Sequence, residues 1–330
     1  MIGIRSACCG RSRTVASAVT IAVTVMLMAP PSFAGSWPER TVRITTPSPP
    51  GADFAARLFA ERLAERWRQP VVVENRPGAD GILAVQAFLH ANDDHGLLFS
   101  FPGVVTVLPL LHESLPFDPV ADLAPISSAY YGVLTVAATA ALPVSSLADL
   151  TAFAKGRPGS LNWAAEPGAP YLTFLEFQRR AGIAMTYVSY RNGTLALPDL
   201  VAGRIQLSIV QLSVALPLAR EGRIKLLALA TSERAAAVPD LPTAIEAGFP
   251  ELTVEAPLGF FGSKTMPMEL RERIAADVRL VASDQAIKQR LGELGMIARG
   301  STPTEYAAKL TEQSKTWAAF ARKYGMRPQP

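Results

Sequence analysis

The chain has 330 residues, 32 of them basic and 28 acidic, a formal net charge of +4 and a mean hydropathy of +0.21. Its two cysteines, Cys8 and Cys9, and three arginines, Arg5, Arg11 and Arg13, fall within the first 13 residues. A chain cut after that stretch has 29 basic residues against 28 acidic, no disulfide, no thiolate nucleophile, and no long basic run to hold nucleic acid.

Residues 1–34 read as a secretory leader. The arginines form a basic n-region, Val15 to Met28 is almost unbroken apolar sequence, and Ser32-Phe33-Ala34 offers small residues where a signal peptidase reads. Both cysteines precede the apolar run, which excludes a lipoprotein acceptor, and Arg11-Ser12-Arg13 is not a twin arginine. The exported chain is expected to begin at Gly35 and to work in the periplasm. No later segment has 18 consecutive apolar residues.

Thr41 to Trp67 sets the theme of the fold. Val42 and Ile44 alternate with Arg43 and Thr45, the period of a half-buried strand. Pro47-Ser48-Pro49-Pro50-Gly51 ends it, and Asp53 stands where a helix cap is expected. Ala56, Phe59, Ala60, Leu63 and Trp67 then share one helical stripe. A strand, a tight loop and a helix start form an anion-binding corner, because free backbone N–H groups and the helix dipole both point into the loop.

The theme repeats. Strand-like Val71 to Glu74 runs into Asn75-Arg76-Pro77-Gly78-Ala79-Asp80-Gly81 and helical Ile82 to Ala91, and strand-like Leu97 to Phe101 runs into Pro102-Gly103. Gly132 to Ala140 predicts a buried strand, and Ser146 caps a helix from Leu147 to Lys155. Three more strands follow, Ser160 to Ala165, Met185 to Tyr190 and Ile205 to Val210. They enter the loops Glu166 to Pro170, Arg191 to Thr194 and Gln211 to Ser213. Ile224 to Ala230 is a further strand, and Leu252 to Gly262 is extended. Helices are predicted over Pro267 to Ala282 and from the capping box Thr302-Pro303-Thr304-Glu305 to about Lys323. Two βαβ sets predict two α/β lobes, each a mostly parallel sheet flanked by helices, with ligand loops at the strand ends. Crossings between the lobes are expected near Gly132 and Glu255. The expected boundaries are 35–131 with 253–330 for the first lobe and 132–252 for the second.

The sequence has no G-x-S-x-G, Walker A or H-E-x-x-H pattern. His90, Asp93, Asp94 and His95 have a metal-like look, but they fall in a helix-to-strand turn and read as a solvated turn rather than a metal site. Phe101, Phe260 and Phe261 stand at strand ends, where aromatics serve as core or as cleft lining.

The segments WPERTVRITTPSPPGADFAAR, QPVVVENRPGADG, LPFDPVADLAPI, VSYRNGTLALPDLVAGRI and GRIKLLALATSERAAAVPDLPTAIEAGFPEL, with the GFFGSKTMP region, occur in that order. Together they resemble the Bug-type solute-binding proteins of tripartite tricarboxylate transporters, over Trp37 to Met326. The resemblance implies a two-lobed periplasmic binding protein of the Venus-flytrap type II class, with two hinge crossings and no catalysis or cofactor. It implies a monomer that closes on a small carboxylate and meets either membrane transporter subunits or a membrane sensor. An enzyme or a periplasmic sensor on the same fold is the alternative. The positions implied for the ligand in the first lobe are Pro50, Gly51, Ala52, Asp53, Phe54, Asp80, Gly81 and Phe101. In the second lobe they are Glu166, Gly168, Ala169, Tyr171, Arg191, Asn192, Gly193, Thr194 and Ser213.

The chain departs from the family pattern inside those loops. Pro50-Gly51-Ala52-Asp53 is about two residues shorter than the usual loop, and Asp80, Ile82 and Ala84 replace smaller or amide residues. The family's hydroxyl-rich stretch and histidine become Ala164 to Leu172, which contains Glu166, and Tyr190-Arg191-Asn192 stands for Tyr-Lys-Gly. An acid beside a site for dianions is expected to repel the second negative charge, which favours a ligand with one carboxylate and an apolar, aromatic or cationic far end.

Overall fold

The computed structural model describes residues 37–47, 50–166, 168–190, 193–325 and 328, with backbone only at Pro50 and Gly51. The expected leader lies outside these residues, as do Arg191 and Asn192. Two sheets carry the fold, both within residues 38–330.

Strand β1 (Val42–Thr46) pairs in parallel with β2 (Val71–Asn75) on one side and β3 (Gly96–Ser100) on the other. Its burial is less alternating than its sequence, since Thr45 and Thr46 are buried beside Val42 and Ile44. A central parallel strand is covered on both faces. Helix α1 (Pro50–Trp67) buries Ala56, Phe59, Ala60 and Leu63 as its stripe predicts. It starts three residues before Asp53, so Asp53 is a first-turn residue and not the helix cap. Helix α2 (Ile82–Ala91) and the short α3 (Gly103–Thr106) and α4 (Leu108–Leu111) complete this part.

The next strand is absent from the sequence reading. Strand β4 (Leu123–Gly132) has no clean period because Ser127 and Ser128 interrupt it. Both serines are buried and bind a later loop: Ser127 Oγ donates to Ser301 O at 2.7 Å and Ser128 Oγ to Arg299 O at 2.8 Å.

The chain then enters the second sheet through β5 (Leu134–Thr139), α5 (Leu147–Lys155) and β6 (Asn162–Ala165). Ser146 caps α5, accepting from the Asp149 N–H. Next come α6 (Ala169–Ala181), β7 (Thr186–Tyr187), α7 (Leu197–Val201), β8 (Leu207–Gln211), α8 (Leu212–Arg220) and β9 (Ile224–Leu229). The strand expected over Met185 to Tyr190 shrinks to two residues at the sheet edge. Ser213 lies in a helix rather than a loop, because β8 passes straight into α8.

The return leg is β10 (Ala256–Ser263), α9 (Met268–Ser283), α10 (Gln285–Glu293), β11 (Met296–Ala298) and α11 (Pro303–Lys323). The capping box forms as written, with Thr302 and Glu305 each accepting from the other's backbone N–H. Phe260 and Phe261 are fully buried core, with Phe260 against Phe59 and Phe99 at ring distances of 6.0 and 4.8 Å. Trp163, Phe174 and Phe177 hold the second core. Burying each such ring stabilises the fold by about 1.5–3 kcal/mol.

The strand orders are β11-β4-β10-β3-β1-β2 and β7-β6-β8-β5-β9. The sheets are mixed, which corrects the mostly parallel expectation. Strand β4 leaves the first sheet where β10 enters it, with Gly132 opposite Ala256, so the two must run antiparallel. The same logic sets β5 against β9 in the second sheet. Among the named strands, parallel pairing is confined to β2-β1-β3 and β7-β6-β8. Strand β8 ends opposite Leu134, the first residue of β5, and β3 ends opposite Gly259 in the middle of β10, running antiparallel and so pointing toward the start of β10. The carboxyl ends of both parallel sets therefore face the crossing, and so one another.

Candidate functional site at the facing strand ends

In the first lobe the three strand-end loops meet at Gly81. This residue is buried with a φ of 94°, and a Cβ placed on it would lie 3.0 Å from Val104, 3.2 Å from Phe101 and 3.6 Å from Pro47. Gly81 and Phe101 are thus brought together as expected, with Pro47 and Val104 as unforeseen neighbours. Helix α2 begins directly after Gly81, and Pro47 leads from β1 toward α1, so the positive end of the α2 dipole lies at this corner.

Other first-lobe candidates are already engaged. Asp53 accepts from Arg57 Nε at 2.9 Å and from Asn75 Nδ2 at 2.7 Å. The Arg57 bond, followed by Asn75, holds its carboxyl below the usual carboxylate range. Asp53 thus ties α1 to β2 and is not a free carboxylate. Phe54 lies beneath the Arg290 guanidinium, 5.4 Å from its ring centroid. Asp80 is exposed in a left-handed conformation (φ 50°), and Ala52 is buried.

In the second lobe, Glu166 and Gly168 follow β6, Gly193 opens the turn before α7, and Gln211 ends β8. A Cβ on Gly193 would sit 2.5 Å from Glu166 Cγ, and the Gln211 side chain lies near enough to the Glu166 carboxyl to favour its charged form. Gln211 in turn lies against the crossing, since a Cβ on Gly132 would be 3.0 Å from its Oε1. The sequence reading passed over Gln211. Its only signal was a polar residue closing the buried run Leu207 to Val210.

The remaining second-lobe candidates spread out. The Tyr171 ring stacks on Trp163 at 5.6 Å and 12°, half-buried against the aromatic core cluster. Ala169 and Ser213 are half-buried at the starts of α6 and α8, and Thr194 is exposed. Tyr190 OH donates to Asp199 at 2.5 Å. One contact bridges the lobes here: a Cβ on Gly168, whose φ is 91°, would lie 3.1 Å from Val107 of the first lobe.

The Asp93, Asp94 and His95 ligand atoms lie within 4.8 Å of one another. Arg40 occupies both carboxylates, at 2.6 and 2.5 Å, and His95 Nε2 accepts the Glu39 N–H. The group is a clamp on the start of β1.

Residues 55–326 match the family described as "Tripartite tricarboxylate transporter family receptor". The chain belongs to that receptor family. Protein BugT of Bordetella pertussis is 28% identical to this receptor over 90% of this chain and 93% of its own length. Among solved structures, "R. palustris Rpa4515 with adipate" is 28% identical with a TM-score of 0.78, over 89% of this chain and 100% of that one. "MatC (Rpa3494) from Rhodopseudomonas palustris with bound malate" is also 28% identical, with a TM-score of 0.70, over 86% and 99%. The resemblance to Bug-type proteins and the two-lobed α/β fold both stand, and the chain is a solute receptor rather than an enzyme.

Proposed function

We propose that this receptor works in the periplasm, closes its two lobes on a small organic carboxylate, and delivers it to membrane subunits of a tripartite transporter. The observation that carries the reading is the convergence of strand-end loops from both lobes, with Gly168 seated on Val107 across the cleft. Helix starts on both sides bind an anion without a dedicated cation, and closure removes the water that weakens such bonds. Relatives of the same fold hold adipate and malate, both carboxylates.

In this reading residues 1–34 export the chain, residues 35–131 and 253–330 form one lobe, and residues 132–252 form the other. A single chain completes the site, so the receptor acts as a monomer. One ligand carboxylate sits on the backbone of Pro50 to Phe54, Asp80 and Gly81 beside Phe101. The far end meets the second-lobe loops at Glu166 to Ala169 and 191–194, with Tyr171 and Ser213 as their support.

The test is thermal-shift screening of the purified protein with mono- and dicarboxylates. A ligand present at a hundred times its Kd adds about 2.7 kcal/mol of stability. A folded, ligand-free protein whose midpoint moves with no carboxylate would defeat the proposal.

A further inference from the structure

We propose that Glu166 sets the charge class of the ligand, so that the site takes one carboxylate with a cationic or hydrogen-bond-donating far end and disfavours dicarboxylates. This rests on the receptor reading above and goes further, because it assigns the far end of the ligand to one side chain.

The geometry pins Glu166 from two neighbouring loops. Gly193 closes on its stem so tightly that a Cβ would come within 2.5 Å, and the Gln211 side chain at the end of β8 is near enough to favour its charged form. Two residues on, Gly168 touches Val107 of the opposite lobe. The carboxyl is thus held at the interlobe surface, among the strand-end loops that receive the ligand.

The second acid in this part of the chain makes the contrast. Glu176 on α6 is paired with Arg179, Arg180 and Lys323. Among the described residues no ion pair involves Glu166, and the side chain that acts on its carboxyl is the neutral amide of Gln211. Desolvation accordingly holds the Glu166 carboxyl above the usual carboxylate range. A half-buried carboxylate beside a neutral amide offers acceptor oxygens to an arriving ammonium or N–H donor. It repels an arriving carboxylate, and lobe closure strengthens both effects by excluding water. A lone acid at a strand end often points to solvent and is then screened. The close seat of Gly193 on its stem and its half-buried position argue against that here.

The test is calorimetry on the wild type, Glu166→Gln and Glu166→Ala with two length-matched sets. One set is butanoate, 4-aminobutanoate and succinate; the other is hexanoate, 6-aminohexanoate and adipate. The wild type should bind the amino-ended member of at least one set about tenfold or more tighter than the dicarboxylate. Both variants, with folding checked by circular dichroism, should shrink that ratio by about tenfold or more. A wild type that prefers the dicarboxylate overturns the proposal, whether or not the variants fold. An unchanged ratio in a folded variant also overturns it. In either case, binding of any member leaves the receptor reading standing. Failure of every member to bind the folded wild type also overturns the proposal, and the thermal-shift screen then decides the receptor reading.

Discussion

Lys323 Nζ lies 2.6 Å from Glu176 Oε2, joining the last turn of α11 to α6 across the two lobes. Helix α11 otherwise packs on β4 and α3 of the first lobe. Tyr324 OH donates to the same oxygen at 2.9 Å, while Arg179 and Arg180 reach the carboxylate from within α6. The Glu176 side chain is only 5% exposed. Arg179 first, then Lys323, Arg180 and Tyr324, hold its carboxyl well below the usual carboxylate range.

Glu176→Gln should therefore destabilise the protein by about 2 kcal/mol at pH 7, read from urea midpoints. The pH dependence has a definite sign. A carboxyl that titrates lower when folded contributes fully above its unfolded pKa, near 4.3, and loses that contribution as pH falls further. The gap between wild type and variant should stay constant from pH 7 to about 5.5 and close progressively below about 4.3. A gap that widens in acid would contradict this assignment.

Lys323→Ala tests the latch more gently. Lys323 is 44% exposed, so its bond contributes about 0.5–1 kcal/mol. Because the bond joins the lobes in the arrangement where Gly168 meets Val107, its loss should favour opening. Ligand dissociation, followed by stopped-flow fluorescence, should speed up about threefold with little change in association. A slower off-rate would mean that the bond favours the open form.

Much of this architecture is legible in the sequence, for reasons that differ by element. The α1 stripe, the Ser146 cap and the Thr302–Glu305 box depend on local chemistry, and all three form as read. Strand β4 was invisible because Ser127 and Ser128 serve a loop about 170 residues away. Antiparallel pairing at the crossing follows from how the chain leaves and re-enters a sheet, which no local pattern records. At the candidate site, the strand-end positions of Gly81 and Phe101 were legible, and the structure makes the two neighbours. Gln211 was not, because its role comes from contact with Glu166 and proximity to Gly132. The stacking of the Tyr171 ring on Trp163 was not legible either, since a tyrosine at a helix start gives no sign of which way its ring turns.

Glu166 carries a stability prediction opposite in sign to that of Glu176. A carboxyl whose pKa is raised by folding favours the native state below its unfolded pKa and loses that advantage as pH rises through its folded value. Glu166→Gln should therefore raise the melting midpoint relative to wild type at pH 8 and lose the advantage at pH 4. A lower midpoint at pH 8 would show that the charged carboxylate is well satisfied in the fold.

Gly259 separates fold from site. A Cβ there would lie 2.2 Å from Ser127 O, a backbone atom in the neighbouring strand. Gly259→Ala should destabilise the protein by about 3 kcal/mol, seen in a urea melt, by forcing β10 and β4 apart. Calorimetry on the fraction that remains folded should find ligand affinity little changed.

The central claim is that facing strand-end loops clasp a small carboxylate, and one measurement meets it most directly. Protein extracted gently from the periplasm should be examined by native mass spectrometry, and the molecule released on denaturation identified. The account predicts about one organic acid per chain, carrying at least one carboxylate and recovered chemically unchanged. Recovery of a ligand without a carboxylate, or its conversion to a product during incubation with the protein, would contradict it.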